Sequence, residues 1–215
     1  MNVVTATPIG GRSYKWLVLF NVMLTTFMAV LDSTVVNTGL PVIMGTLGAS
    51  MNSAEWILTG YMLSMATILP AAGWLSDRFG YKRIFIFSLT VFTVGGNSTA
   101  IGELVFWRIF QGIGGGLLMP VGMAVVTTVF PVEQRGMALG FWAIASAASV
   151  SFGPLIGGYL VDNLNWNYIF FVNIPIGIFS IIYTMIVQQE YKTGMRQKFD
   201  IPGFITSAVF LRVFL

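Results

Sequence analysis

Cysteine and histidine are both missing from the 215 residues, and only 9% of the chain is charged. The first absence excludes disulfides and thiolate metal sites. The second removes the commonest general base and metal ligand. No metal site and no cofactor are expected. No pair of carboxylates gathers at one depth, which leaves serine chemistry as the weak enzymatic alternative to a protein that is not an enzyme. Soluble domains carry about 25% charge. With 56% hydrophobic residues, this chain reads instead as an integral membrane protein.

A hydrocarbon core of roughly 30 Å needs about 20 apolar residues per helix. Six charge-free runs of that order follow one another: Trp16 to Leu31 (extendable past Asp32), Trp56 to Ser76, Ile84 to Gly102, Ile109 to Val132, Gly136 to Val161, and Asn163 to Gln189. A seventh, from near Ile201 to Leu215, is short for a span and carries Arg212, so the chain is expected to stop inside a span. The organisation that follows is a tail over 1–13, a six-span unit over 14–189, a linker over 190–200 and an incomplete seventh span over 201–215. The first run outlasts the apolar core of a secretory signal, about 7 to 15 residues, and has no clear cleavage site.

Positive charge gives an independent test, because cytoplasmic connections retain lysine and arginine. Arg12 and Lys15 precede span 1; Arg78, Lys82 and Arg83 lie between spans 2 and 3; Arg135 lies between 4 and 5; Lys192, Arg196 and Lys198 follow span 6. The opposite connections hold only Glu55, Glu103 and Asp162. This partition predicts a cytoplasmic N-terminus. It also predicts a cytoplasmic end to the sixth span.

A shift of 85 residues aligns "GWLSDRFGYKRIF" at 73 with "GYLVDNLNWNYIF" at 158, matching Gly73, Leu75, Asp77, Ile84 and Phe85 to Gly158, Leu160, Asp162, Ile169 and Phe170. One copy is an inside turn and the other an outside turn, so the repeat is inverted across the membrane. Inverted three-span repeats build many transporters and place the substrate site where the repeats meet.

Two charges fall inside the apolar runs. Counting 1.5 Å per residue from a 20-residue span puts Asp32 about 6 Å, and Arg108 about 7 Å, below the same outer boundary. A charge at mid-span costs about 2.5 to 3.5 kcal/mol on translocon scales, so each needs protein, water or the other. Snorkelling serves a long arginine better than a short aspartate, which favours mutual contact. Burial disfavours an ionised carboxylate and a nearby arginine favours it, so helix movement could switch the protonation of Asp32.

Small residues mark close approach. Ala145, Ser149, Gly153 and Gly157 lie four apart in span 5, with Pro154 expected to bend the helix and Gly158 expected to tighten the same interface. In span 4, "RIFQGIGGGLLMP" sets Arg108 and Gln111 beside Gly112, Gly114, Gly115 and Gly116. No strand precedes these glycines, so they do not form a phosphate loop. In "GWLSDRFGYKR", Gly80 supplies a tight turn, Asp77 can attract a helix N-terminus, and Arg78, Lys82 and Arg83 can meet anionic head groups.

"GWLSDRFGYKR" resembles the signature loop between spans 2 and 3 of the major facilitator superfamily, with Tyr81 where a basic residue is usual. "RIFQGIGGG" is similar to its span 4 motif. Gly140, Gly153, Pro154, Gly157 and Gly158 are similar to the antiporter motif of span 5, Ser149 standing in for one glycine. "LDSTVVNTGLP" (31–41) and "WNYIFFVNIPIG" (166–177) resemble segments typical of 14-span drug:proton antiporters of the EmrB/QacA type. The resemblance covers residues from about 14 to 203, the N-terminal half of such a protein.

It implies an all-α transmembrane fold: the N-terminal six-helix domain of a major facilitator transporter, two inverted three-helix repeats, plus the start of a seventh helix. It further implies multidrug efflux in exchange for protons from the inner (plasma) membrane. Asp32, Asn37, Arg108 and Gln111 would serve proton coupling or substrate. Gly73, Asp77, Arg78, Gly80, Lys82, Arg83, Gly112, Arg135, Gly153, Pro154, Gly157 and Gly158 would serve gating. The implied partners are amphipathic or cationic small molecules, protons and lipids, with a periplasmic adaptor and outer-membrane channel in some relatives, and no nucleic acid. A proton-coupled metabolite symporter is the alternative within transport. A non-transporting membrane protein is the alternative outside it.

Overall fold

The computed structural model describes residues 13–94 and 98–191, together with 203, 204 and 206. Among these, every regular element is helical: α1 (Tyr14–Leu47), α2 (Met51–Ile68), a 3-10 turn (Leu69–Ala71), α3 (Ala72–Phe79), α4 (Tyr81–Thr93), α5 (Ile101–Val129), α6 (Val132–Asn163), α7 (Tyr168–Phe171) and α8 (Asn173–Val187). The segments Tyr14–Leu47, Met51–Phe79, Ile101–Val129, Val132–Asn163 and Tyr168–Val187 are long and apolar enough to cross a membrane. Most of the expected linker and seventh span, with Arg12, Lys192, Arg196, Lys198 and Arg212, lies outside the described residues.

Two boundaries differ from the expectation. The helix α1 continues for 15 residues beyond Asp32, about 22 Å, well past the apolar run that ends at Leu31. Its polar positions do not end it, because the hydroxyls of Ser33, Thr34 and Thr38 bond back to carbonyls three or four residues earlier. The chain turns only at Gly48, in the left-handed conformation with φ 60°. The helix of the third run, α4, has 13 residues and ends at Thr93, the backbone turning extended at Val94 rather than near Gly102.

The pairs α1 with α6 and α2 with α5 form the most extensive interfaces. Two more, α1 with α8 and α4 with α5, also correspond. Exchanging the first three spans for the last three converts each pair into its counterpart, as an inverted repeat requires. Hydrogen bonds gather the start of α1, the α3–α4 turn, the α5–α6 turn and the end of α8 at one end of the bundle. Tyr14 meets Tyr191, Lys15 meets Gln134, and the amide of Tyr81 donates to the carbonyl of Tyr191. The basic residues Lys15, Lys82, Arg83 and Arg135 therefore share that end.

The apolar core is in two layers. One holds Val18, Val22, Ala29, Tyr61, Phe85, Phe92, Leu117, Val125 and Phe130; the other holds Leu31, Val35, Ile43, Ile57, Leu104, Ile169 and Phe170. Helix α1 passes from one layer to the other between Ala29 and Leu31, and α5 does so between Leu104 and Leu117. Burial of these side chains from water, at about 25 cal/mol per Å² of apolar surface, favours compaction where the chain is wet. Within lipid, close packing and hydrogen bonds between helices hold them instead.

Candidate functional site

A polar cluster occupies the level where the two layers meet. Asp32 and Arg108 are the two buried charged residues among those described, at 0% and 1% exposure. Arg108 Nη1 donates to Asp32 Oδ2 at 2.5 Å and to Gln111 Oε1 at 2.7 Å, while Nε reaches the carbonyl of Ile57 at 3.4 Å. Gln111 Nε2 donates to Asp32 Oδ1 at 3.1 Å, and Asn173 Nδ2 to the same oxygen at 2.6 Å. The guanidinium lies 4.1 Å from the centre of the Tyr61 ring and 5.8 Å from that of Phe170. One carboxylate thus joins α1, α5 and α8, and the arginine adds α2 and α7.

Each placement has a local cause. Arg108 and Gln111 are three apart on α5 and so share a face. Asn173 opens α8, where Pro175 is accepted because amides of a helix's first turn have no intrahelical acceptor. The pairing is obligatory in this setting. Removing one partner of a buried pair strands the other at a cost of about 3 to 5 kcal/mol.

The expected contact of Asp32 with Arg108 is present, and Gln111 bonds to both. Asn37 is not part of it. That residue is exposed on α1, since five positions turn a helix by well over a full turn and carry the side chain off the Asp32 face. Asn173 holds the place instead. The sequence offered a signal, a lone amide in the apolar stretch "FFVNIPIG", without showing what it faced. Tyr61 gave no signal, being one aromatic among many.

Close approach explains the glycines of α5. A Cβ on Gly112 would fall on the Tyr61 carbonyl and Ser64 hydroxyl of α2, one on Gly116 would lie 2.5 Å from the Met65 carbonyl, and one on Gly114 would lie 2.6 Å from Ser88 O and Phe92 N of α4. Two helices therefore flank α5 at backbone distance, fixing Arg108 and Gln111 one turn away. In α6, Ala145, Ser149, Gly153 and Gly157 are all buried; Gly153 meets Thr34, and Gly157 meets Val35 and Thr38 of α1. Gly158 and Gly140 do not belong to that interface, as nothing lies within 4 Å of a Cβ at either. They fall off the four-residue stripe. Pro154 is exposed, and α6 runs on through it to Asn163.

At the basic end, Gly80 turns the chain with φ 101°, a backbone region that favours glycine. Glu190 packs on it, accepting from the amide of Lys82 at 3.0 Å and lying 3.7 Å from Arg83 Nε. Lys82 Nζ donates to the carbonyl of Met185 at 2.8 Å. Tyr81 donates to Asp77 at 3.0 Å, Arg78 stacks on Trp74 and Phe79, and Arg135 Nε donates to the Phe130 carbonyl. Gly73 is exposed, with no atom within 4 Å of a Cβ there. The end of α8 thus clamps the turn between the second and third spans. The role of Glu190 was not evident from sequence.

A multi-pass helical bundle built of inverted halves around a buried ion pair is the architecture that inverted-repeat membrane proteins share. Residues 22–212 match the Major Facilitator Superfamily, and the chain belongs to that family. It is 36% identical over 211 residues to proteins of Yersinia pestis (strain Pestoides F) and Yersinia pseudotuberculosis serotype O:1b (strain IP 31758), each named as a multidrug resistance protein, MdtD. The match takes in 96% of this chain and 44% of each relative, so the chain spans less than half their length. The fold is similar to that of the peptide transporter POT in complex with sulfate (TM-score 0.73, 16% identity, 97% of this chain and 46% of that one). It is also similar to a D-xylose-proton symporter (TM-score 0.65, 17% identity, 94% of this chain and 52% of that one).

Proposed function

We propose that the parent protein expels hydrophobic, amphipathic or cationic compounds in exchange for protons, by alternating access. The observation that carries this reading is the Asp32–Arg108 pair, buried between two apolar layers with all its partners on other turns or helices. A carboxylate there is expensive to keep charged without its arginine. Separation of α1 from α5 would favour proton uptake, and their return would favour release.

In this reading Asp32 exchanges the proton, Arg108 and Gln111 couple it to α5, and the α1–α6 interface at Gly153 and Gly157 holds one closed form. The Asp77–Arg83 turn latches the cytoplasmic side. The basic end faces the cytoplasm of the inner membrane, in keeping with the retention of positive charge there, and its arginines and lysines also meet lipid head groups. The names of the relatives support drugs as the substrate class. Delivery to a periplasmic adaptor and outer channel belongs to the same proposal.

Efflux of a dye panel by the full-length parent, with and without a proton gradient, tests it. Asp32→Asn and Arg108→Ala should each abolish gradient-driven efflux. Unchanged efflux in both would remove the coupling assignment.

A further inference from the structure

The three partners of Asp32 are all donors. Oδ2 receives Arg108, and Oδ1 receives Gln111 and Asn173. That arrangement suits an ionised carboxylate, which only accepts. A proton arriving on the carboxyl is itself a donor and needs an acceptor in a site filled with N–H groups.

The partners differ in their ability to supply one. Arginine has no acceptor. The Gln111 oxygen is already engaged by Arg108 at 2.7 Å, so turning that amide would break one bond and aim an NH2 group at a guanidinium. Asn173 is different. Its nitrogen is used and its Oδ1 is buried without a partner. Rotation by half a turn about its terminal torsion, which is two-fold and soft, exchanges donor for acceptor at no loss of another bond.

We propose that Asn173 is the positioning residue that reads the proton on Asp32, donating to the carboxylate and reversing its amide to accept from the carboxylic acid. The α1–α8 tie then survives in both states while its polarity inverts. The inference rests on the reading of Asp32 as the proton site. The charged and titratable groups around Asp32 are Arg108 from α5 and Tyr61 from α2; α8 contributes the neutral amide.

Infrared titration of the intact protein in lipid nanodiscs tests both levels, using the carboxylic C=O band that Asp32→Asn removes. Truncation to Asn173→Ala or Asn173→Leu deletes a bond stronger to the charged form than to the neutral one. The midpoint of the band should therefore rise by about one pH unit, a tenfold change in proton affinity.

In the unmodified protein an amide carbonyl band, absent from the truncations, should shift with the same midpoint. Midpoints unchanged in both truncations would overturn the assignment of Asn173 and leave the proton site standing. If neither truncation folds, a static amide band in the unmodified protein overturns it equally. The absence of any titrating band lost in Asp32→Asn would overturn the proton site and this inference together.

Discussion

Asn21 donates from Nδ2 to the Thr184 hydroxyl at 2.7 Å, and each residue lies eleven positions along its own helix from the Asp32–Asn173 contact. Equal spacing means that α1 and α8 run antiparallel in constant register for about 16 Å. Between the two ties the buried face of α8 is small: Gly177 receives Thr93 of α4, and Ser180 follows. Polar bonds, rather than apolar bulk, set the fit of the sixth span.

Because Asn21 Oδ1 already lacks a partner, the Thr184 bond is its one side-chain tie. Thr184→Val and Asn21→Val should show a coupling of about 0.6 to 2 kcal/mol in a double-mutant cycle of unfolding in bicelles. A coupling of zero would mean that the register is held elsewhere.

Arg108→Leu should destabilise the bundle by about 3 to 5 kcal/mol by stranding Asp32. Asp32→Leu combined with Arg108→Leu should recover much of the loss. The comparison is made by thermal unfolding of the two variants side by side.

In α6, Gly153→Ala places its methyl on Thr34, whereas Gly158→Ala meets open space. The first should cost about 1 to 3 kcal/mol. The second should stay within about 0.5 kcal/mol. Equal effects would contradict the α1–α6 packing.

Gly80→Ala combines a strained φ with overlap on the Glu190 carboxylate. It should destabilise by about 1 to 3 kcal/mol. In a Glu190→Ala background the penalty should shrink, because only the backbone strain remains; chemical denaturation of the four proteins gives the cycle.

Burial first, and then its hydrogen bond with Tyr14, pushes the Tyr191 phenol well above the ordinary tyrosine range. The unfolded chain ionises this group first, so its stabilising contribution is intact below pH of about 10 and falls as the pH climbs beyond. Tyr191→Phe should flatten the alkaline loss of stability followed by unfolding at pH values on either side of that point.

Much of this was legible in the chain. Scarcity of charge pointed to a membrane, and small residues every fourth position in α6 marked a face of close approach, which the structure sets against α1. These are local or cumulative signals, and periodicity reports them without knowledge of neighbours. Asp32 and Arg108 could be paired on paper because two opposite charges in apolar runs have few other ways to be satisfied.

Helix ends were less legible: α1 outruns its apolar stretch because hydroxyls bonded to their own backbone let polar residues continue it. Asn37 was assigned through the family resemblance and Gly158 through the glycine pattern of span 5, and helical rotation puts both on other faces than Asp32 and the α1 interface. The partners of Asn173, Tyr61 and Glu190 became visible only in three dimensions, 141 residues apart in the case of Asn173 and Asp32. The sequence by itself determined that this protein lies in a membrane, as a bundle of inverted halves with a charge pair inside. Tertiary structure alone decided which amides surround that pair, because hydrogen bonding depends on direction and distance across helices, and a one-dimensional pattern carries neither.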